Sequence, residues 1–145
     1  MTTMLEVGRQ IIRGERETFP VARLLGLVLK ELEPARAVFE LQAEERHHNP
    51  MGTLHGGVYC DLADAAMGYA YAATLGEGET FTTVELKINF LRPVRQGRLI
   101  AEARVVKAGS ALGYAECDVT DHAGKLVARA SSTCMKLRQD RPPTA

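Results

Sequence analysis

The chain has 145 residues, 46% of them hydrophobic and 25% charged, enough for one domain whose core needs no disulfide or metal. Its 18 Lys and Arg balance 18 Asp and Glu, so it lacks the basic excess of a dedicated nucleic-acid binder and the polybasic cluster that draws a protein to an anionic membrane. Charge breaks the N-terminus too early for a signal peptide, and no apolar run approaches the roughly 20 residues of a membrane helix. Cys60, Cys117 and Cys134 are odd in number and lie singly, which reads as reduced thiols in a cytoplasmic protein.

Residues 4–16 carry Leu5, Val7, Ile11 and Ile12 among charges, the pattern of a short amphipathic helix. Pro20 opens a second helical turn with Thr18 or Phe19 at its cap, and Gly26 stops it. From Leu27 the period changes to two, and Pro34 marks the turn of a hairpin between residues 27–31 and 35–43. A polar loop over 44–50 ends in Asn49-Pro50. Residues 58–75 are the one long helical stretch, with Val58, Leu62, Ala65, Ala66, Tyr69, Ala70 and Ala73 at helical spacing. Its other faces hold Ala63, Met67, Gly68 and Ala72, so this helix is expected to be buried on most sides. Four strands follow, over 83–91, 98–107, 114–120 and 125–137. In the first, Val84, Leu86, Ile88 and Phe90 alternate with Thr83, Glu85, Lys87 and Asn89. One long buried helix with short hairpin connections predicts an α+β fold, an antiparallel sheet wrapped around the helix.

The chemistry concentrates between Asn49 and Asp64. Paired glycines, Gly56 and Gly57, at the start of a helix leave backbone N–H groups unobstructed where the helix carries partial positive charge. An oxygen gaining negative charge is stabilised there, although the pair also serves simply as a tight turn into a crowded helix. Asp64 lies about two turns beyond Gly57, between Ala63 and Ala65, where a carboxylate is partly desolvated. Asp61, nearer the N-terminus, complements the macrodipole. His55 reads first as a hydrogen-bonding fixture and Asn49, before Pro50, as a turn former. His47 and His48 have no metal-ligand spacing with His55, so no metal site is expected.

The pattern Asn49-x-x-Gly52-x-Leu54-His55-Gly56-Gly57-x6-Asp64, with the strand Thr83 to Pro93 after it, resembles the active-site segment of hotdog-fold acyl-CoA thioesterases of the PaaI-like, phenylacetate-degradation branch. The resemblance runs from about Leu24 to Leu137. It implies a hotdog domain over 27–137, after an N-terminal helical segment (1–26) and before a disordered tail (138–145). It further implies an acyl-CoA or aryl-CoA substrate, no cofactor, and a homodimer with active sites at its interface, paired again into a tetramer. By position, the Gly56 N–H would polarise the thioester carbonyl, while Asp64 of the facing subunit would be general base or nucleophile. Asn49 would orient the attacking group, Thr83 would help hold the water, and His55 would steady the loop. Thr83 departs mildly from the Ser of some relatives. Gly57, Arg92 and Arg95 are candidates for substrate binding, with Arg98 and Lys107 as further cations for the CoA phosphates. The rivals are a hotdog hydratase or dehydratase, whose Asp-x4-His type of motif does not occur here, and a non-catalytic acyl-CoA-binding domain, which would not need Asp64.

Overall fold

The computed structural model describes residues 2–138. Helices α1 (Met4–Ile12) and α2 (Pro20–Leu25) precede the hairpin of β1 (Leu27–Glu33) and β2 (Arg36–Ala43). After a short 3-10 turn at Glu45–His47 comes α3 (Gly56–Ala72), then β3 (Glu79–Phe90), β4 (Gly97–Ala108), β5 (Leu112–Asp121) and β6 (Leu126–Arg138). All strands join one antiparallel sheet in the order β1-β2-β4-β5-β6-β3. The sheet curves around α3, the arrangement that pattern and resemblance both imply. The tail expected from residue 138 lies, from 139 on, outside the described residues; Arg138 still belongs to β6. Among the described residues no helix is long and apolar enough to cross a membrane.

Local chemistry accounts for the boundaries. Thr3 caps α1 by accepting the Glu6 N–H at 3.3 Å. Pro20 begins α2 with Phe19 at the N-cap, and Gly26 ends it in the left-handed region at φ 84°. The last carbonyls of α2 do not face water unpaired: Arg46 donates to the Leu24 and Leu25 oxygens, and buried His47 bonds the Leu25 oxygen at 2.7 Å. The β1–β2 turn holds Ala35 at φ 68°. α3 begins two residues earlier than the apolar period suggests, because His55, not a later residue, is its N-cap.

Small residues set how close α3 and the sheet come. Leu62, Ala63, Ala66, Met67 and Ala70 of α3 are fully buried. Opposite them runs a cross-strand row of Ala37, Ala103, Cys117 and Ala130, one residue from each of β2, β4, β5 and β6. The next inward row is Phe39, Ala101, Val119 and Ala128, also buried. Alternating small and large side chains across facing rows is how interiors reach close packing. α1 lies over β1, where a Cβ on buried Gly8 would stand 2.2 Å from a Leu32 methyl. Phe19, Phe39 and Tyr69 join α2, β2 and α3 in one aromatic cluster.

A second, smaller cluster lies at the C-terminal end of α3, where Tyr71, Leu75 and Cys134 are buried against Phe81 and Val105. The Tyr71 ring lies directly on the β5 backbone: a Cβ at Gly113 would be 2.2 Å from its Cε2. The Tyr71 hydroxyl is buried and has no hydrogen-bond partner among the described residues. Two opposite outcomes are expected from chemical denaturation. Gly113→Ala should lower stability by roughly 1–3 kcal/mol, as overpacking of a tight core does. Tyr71→Phe should leave the midpoint unchanged or raise it, since it removes an unsatisfied hydroxyl.

Candidate active site

The loop before α3 is fixed by its own polar groups. The Asn49 side-chain oxygen accepts the N–H groups of Met51 (3.0 Å) and Thr53 (3.1 Å), and Asn49 Nδ2 donates to Thr53 Oγ1 at 2.9 Å. Gly52, at φ 78°, closes this turn in a conformation that favours glycine. The turn-forming role expected of Asn49 is therefore present, and it consumes the acceptor end of the amide. One N–H of Nδ2 is left over. Neighbouring contacts pin the loop from outside: Leu54 N–H donates to the Val94 oxygen, and His55 N–H to the His47 oxygen. His48 bonds the Arg95 backbone oxygen through Nε2.

His55 does at the head of α3 what a Ser or Asp commonly does. Its Nδ1 accepts the Gly57 N–H at 2.9 Å, and its backbone oxygen accepts the Val58 N–H at 3.0 Å. The Nδ1 acceptor is thereby occupied, and Nε2 is the ring nitrogen left to face other partners. With Gly57 so occupied, the N–H of Gly56 is the first-turn donor without an acceptor among the described residues. Gly56 also has a packing reason to be glycine, since a Cβ there would stand 3.0 Å from the Phe90 ring. The two explanations of the paired glycines, tight packing and a bare donor, hold at the same residue.

Further along the same face of α3, half-buried Asp64 accepts a hydrogen bond from Thr83 Oγ1 at 3.1 Å. A β-bulge makes this meeting possible. The β3–β6 register slips between Thr83 and Glu85, leaving Val84 as the extra residue, 52% exposed. Simple alternation would put Thr83 on the face opposite Leu86. The bulge resets the parity, so Phe81, Thr83, Leu86 and Ile88 all turn inward and Val84, counted as an inward position from the sequence, turns out. Behind Thr83 lies its register partner Cys134, buried. Burial pushes that thiol up, partly offset by hydrogen bonds with Ser132 and Thr83. Asp61 is exposed on the helix, yet its carboxyl is pushed above the ordinary range, by local desolvation first and by the charge of Asp64 second.

Of the proposed cations, Arg92 and Arg95 both belong to the β3–β4 connection and are exposed, with the Arg95 guanidinium beside Gly52 of the Asn49 loop. Arg98 is held by Glu40 at 3.2 Å. Lys107 lies at the far end of β4, about 30 Å from Arg98 at 3.3 Å per residue, and does not join the group. Among the described residues no cluster of three or more His, Cys, Asp or Glu is placed to hold a metal.

Sequence reasoning missed the two rings that face this site from β3. Phe90 covers Gly56, and Phe81 covers Gly68, where a Cβ would stand 3.2 Å from the ring. The only signal was the spacing itself: glycines on one helix face, phenylalanines on the following strand. α3 and β3 therefore run antiparallel, in contact at Gly56–Phe90, Asp64–Thr83 and Gly68–Phe81. Along that face Gly56 and Asp64 are eight residues apart, about 12 Å on a rigid helix. In one chain the unpaired Gly56 N–H and the Asp64 carboxylate are therefore well separated along the helix.

Known proteins agree with this reading of the fold. The Thioesterase superfamily profile matches residues 51–128. Human acyl-coenzyme A thioesterase 13 is 32% identical over 136 residues, 92% of this chain and 96% of that one. A putative thioesterase from Ralstonia eutropha, a phenylacetic acid degradation-related protein, superposes with a TM-score of 0.81 at 30% identity, covering 88% of this chain and 98% of its own. The Escherichia coli PaaI protein has the same fold, with a TM-score of 0.81 at 24% identity over 93% of this chain and 96% of that one. With a six-stranded antiparallel sheet curled around α3 and these relatives, the chain belongs to the thioesterase superfamily, as a PaaI-like hotdog enzyme that hydrolyses thioesters.

Proposed function

We propose that this chain hydrolyses acyl- or aryl-CoA thioesters at sites shared between two copies. The observation that carries the reading is the separation along α3: the bare Gly56 N–H and the Asp64 carboxylate are both suited to thioester chemistry, but lie about 12 Å apart in one chain. A second copy related by a two-fold axis brings Gly56 of one chain opposite Asp64 of the other, and the same operation makes a second, equivalent site. The edge of the sheet favours that pairing. β3 ends the sheet with twelve residues and, among the described residues, has no strand on its outer side, the kind of long edge that pairs with another chain.

A thioester is already activated, so one base and one oxyanion donor suffice without a Ser-His-Asp triad. The Gly56 N–H, at the positive end of α3, stabilises the oxygen as the carbonyl carbon becomes tetrahedral. Asp64 of the other copy, oriented by Thr83, takes a proton from the attacking water or attacks the carbon itself. In either route the thiolate of CoA leaves. Asn49 acts as a donor here, because its oxygen is committed to loop amides and one Nδ2 N–H remains uncommitted. His55 fixes the helix start and Gly57 closes its cap. Arg95, beside the loop, and Arg92, in the same β3–β4 connection, supply positive charge for the CoA phosphates.

Asp64→Ala should cut turnover of a CoA thioester by about 10²–10⁴-fold, measured as free-thiol release, with an unchanged circular dichroism spectrum. Asp61→Ala should be far milder; equal loss at both positions would show that the wrong carboxylate was chosen. Sharing between chains has its own measurement. Asp64→Ala and Asn49→Ala chains are each expected to be poorly active, while co-expression should restore on the order of a quarter of wild-type activity through mixed dimers with one intact site. No recovery in mixed dimers verified by mass spectrometry would rule out a shared site.

A further inference from the structure

Neither Gly56 nor Gly57 carries a side chain that could screen the Gly56 N–H from water, and His55 directs its ring nitrogen to the Gly57 N–H instead. The side chain that comes up against Gly56 is supplied by β3. Three atoms of the Phe90 ring would stand 3.0, 3.3 and 3.6 Å from a Cβ at Gly56. The ring is held from behind. Phe90 pairs with Ala128 of β6, and the N–H of the next residue, Leu91, donates to the Val127 oxygen at 2.9 Å. Buried Tyr59, in the first turn of α3, packs on the ring with centroids 5.5 Å apart, and its hydroxyl donates to the Arg92 oxygen at 3.4 Å. Phe90 nevertheless remains 53% exposed. Exposure of a lone apolar side chain is common and carries nothing by itself; its place against the bare donor does.

A hydrogen bond to a developing oxyanion counts for most where water is kept away. Glycine lets a carbonyl approach the backbone closely, but leaves the donor open to solvent. An apolar ring against the same residue removes water from one flank without offering the donor an acceptor. We propose that Phe90 is a positioning residue for hydrolysis: its ring keeps one flank of the Gly56 N–H dry, so that this donor bonds the oxyanion rather than water. This rests on the thioester hydrolase reading above, with Gly56 as the oxyanion donor. Phe90 acts through Gly56 and touches no reacting atom, so its effect belongs in kcat more than in KM. The property that matters is apolarity rather than volume.

The test measures kcat and KM for butyryl-CoA, by free-thiol release, in the wild-type chain, Phe90→Leu and Phe90→Asn. Leu and Asn have nearly the same shape and differ in polarity. Phe90→Asn should lower kcat by about tenfold, short of the roughly 10²–10³-fold that follows deletion of such a donor, with KM within about threefold of wild type. Phe90→Leu should keep kcat within about threefold of wild type. Circular dichroism checks folding, and Phe90→Gln replaces Phe90→Asn if the latter does not fold. Equal kcat losses in the Leu and polar variants would make the ring a packing element only and overturn the proposal. So would an unchanged kcat in the polar variant, or a loss confined to KM. Absence of hydrolysis by wild type, of butyryl-CoA and of phenylacetyl-CoA alike, would instead remove the thioesterase reading on which the proposal stands.

Discussion

α3 touches the sheet at van der Waals distance because residues with little or no side chain face each other across the contact. Ala63, Ala66 and Ala70 on the helix meet Ala37, Ala101, Ala103, Ala115, Ala128 and Ala130 on the strands, all of them buried. Larger groups in the same rows, Phe39, Leu62, Met67 and Val119, fill what the alanines leave. An interior packed this way tolerates few changes of volume. The position of α3 is thereby fixed, and with it the Gly56 N–H and the Asp64 carboxylate on which the proposed chemistry rests. The site needs no separate scaffold, since its spacing is the spacing of one rigid helix.

Much of this was legible in the sequence because it depends on periodicity. The switch from helical to alternating spacing near Leu27, the single long apolar helix and the four strands behind it are all where the pattern predicts, within two to four residues at the ends. The pairing of those strands was less accessible. β3 follows α3 in the chain but lies beside β6 at the edge, whereas β4 inserts between β2 and β5. Hydrophobic pattern specifies which face of a strand is buried, and says little about which strand lies next to it.

Thr83 shows where local pattern fails and why. Its neighbours Val84, Leu86, Ile88 and Phe90 alternate so regularly that Thr83 falls on the outer face by counting. The bulge at Val84 reverses that count and turns the hydroxyl to Asp64. No residue within the bulge announces it, since Val84 is itself a good strand former. Only the resemblance to known thioesterases drew Thr83 into the site beforehand. His55 and Asn49 teach a related lesson. Their structural tasks, capping α3 and tying the loop, do not compete with a part in chemistry: a histidine whose Nδ1 is occupied and an amide whose oxygen is occupied each keep one nitrogen for other partners.

On the proposed reading, the same rigidity that positions the groups also keeps one chain from completing the site. A loop could fold back to bring a base next to its oxyanion donor, but two residues eight apart on a packed helix keep their separation in every accessible state. Among the described residues β3 has no outer neighbour on the side where α3 carries Asp64 and Gly56, so the unpaired backbone edge and the two groups of the proposed site occur at the same margin of the molecule. Strand pairing across that margin would satisfy both at once. Main-chain hydrogen bonds along β3 would set the register between copies, and that register would decide the distance from one chain's Gly56 N–H to the other's carboxylate. On this reading the bulge at Val84 has a second consequence: near the middle of β3 it shapes the edge that must pair, as well as turning Thr83 toward Asp64.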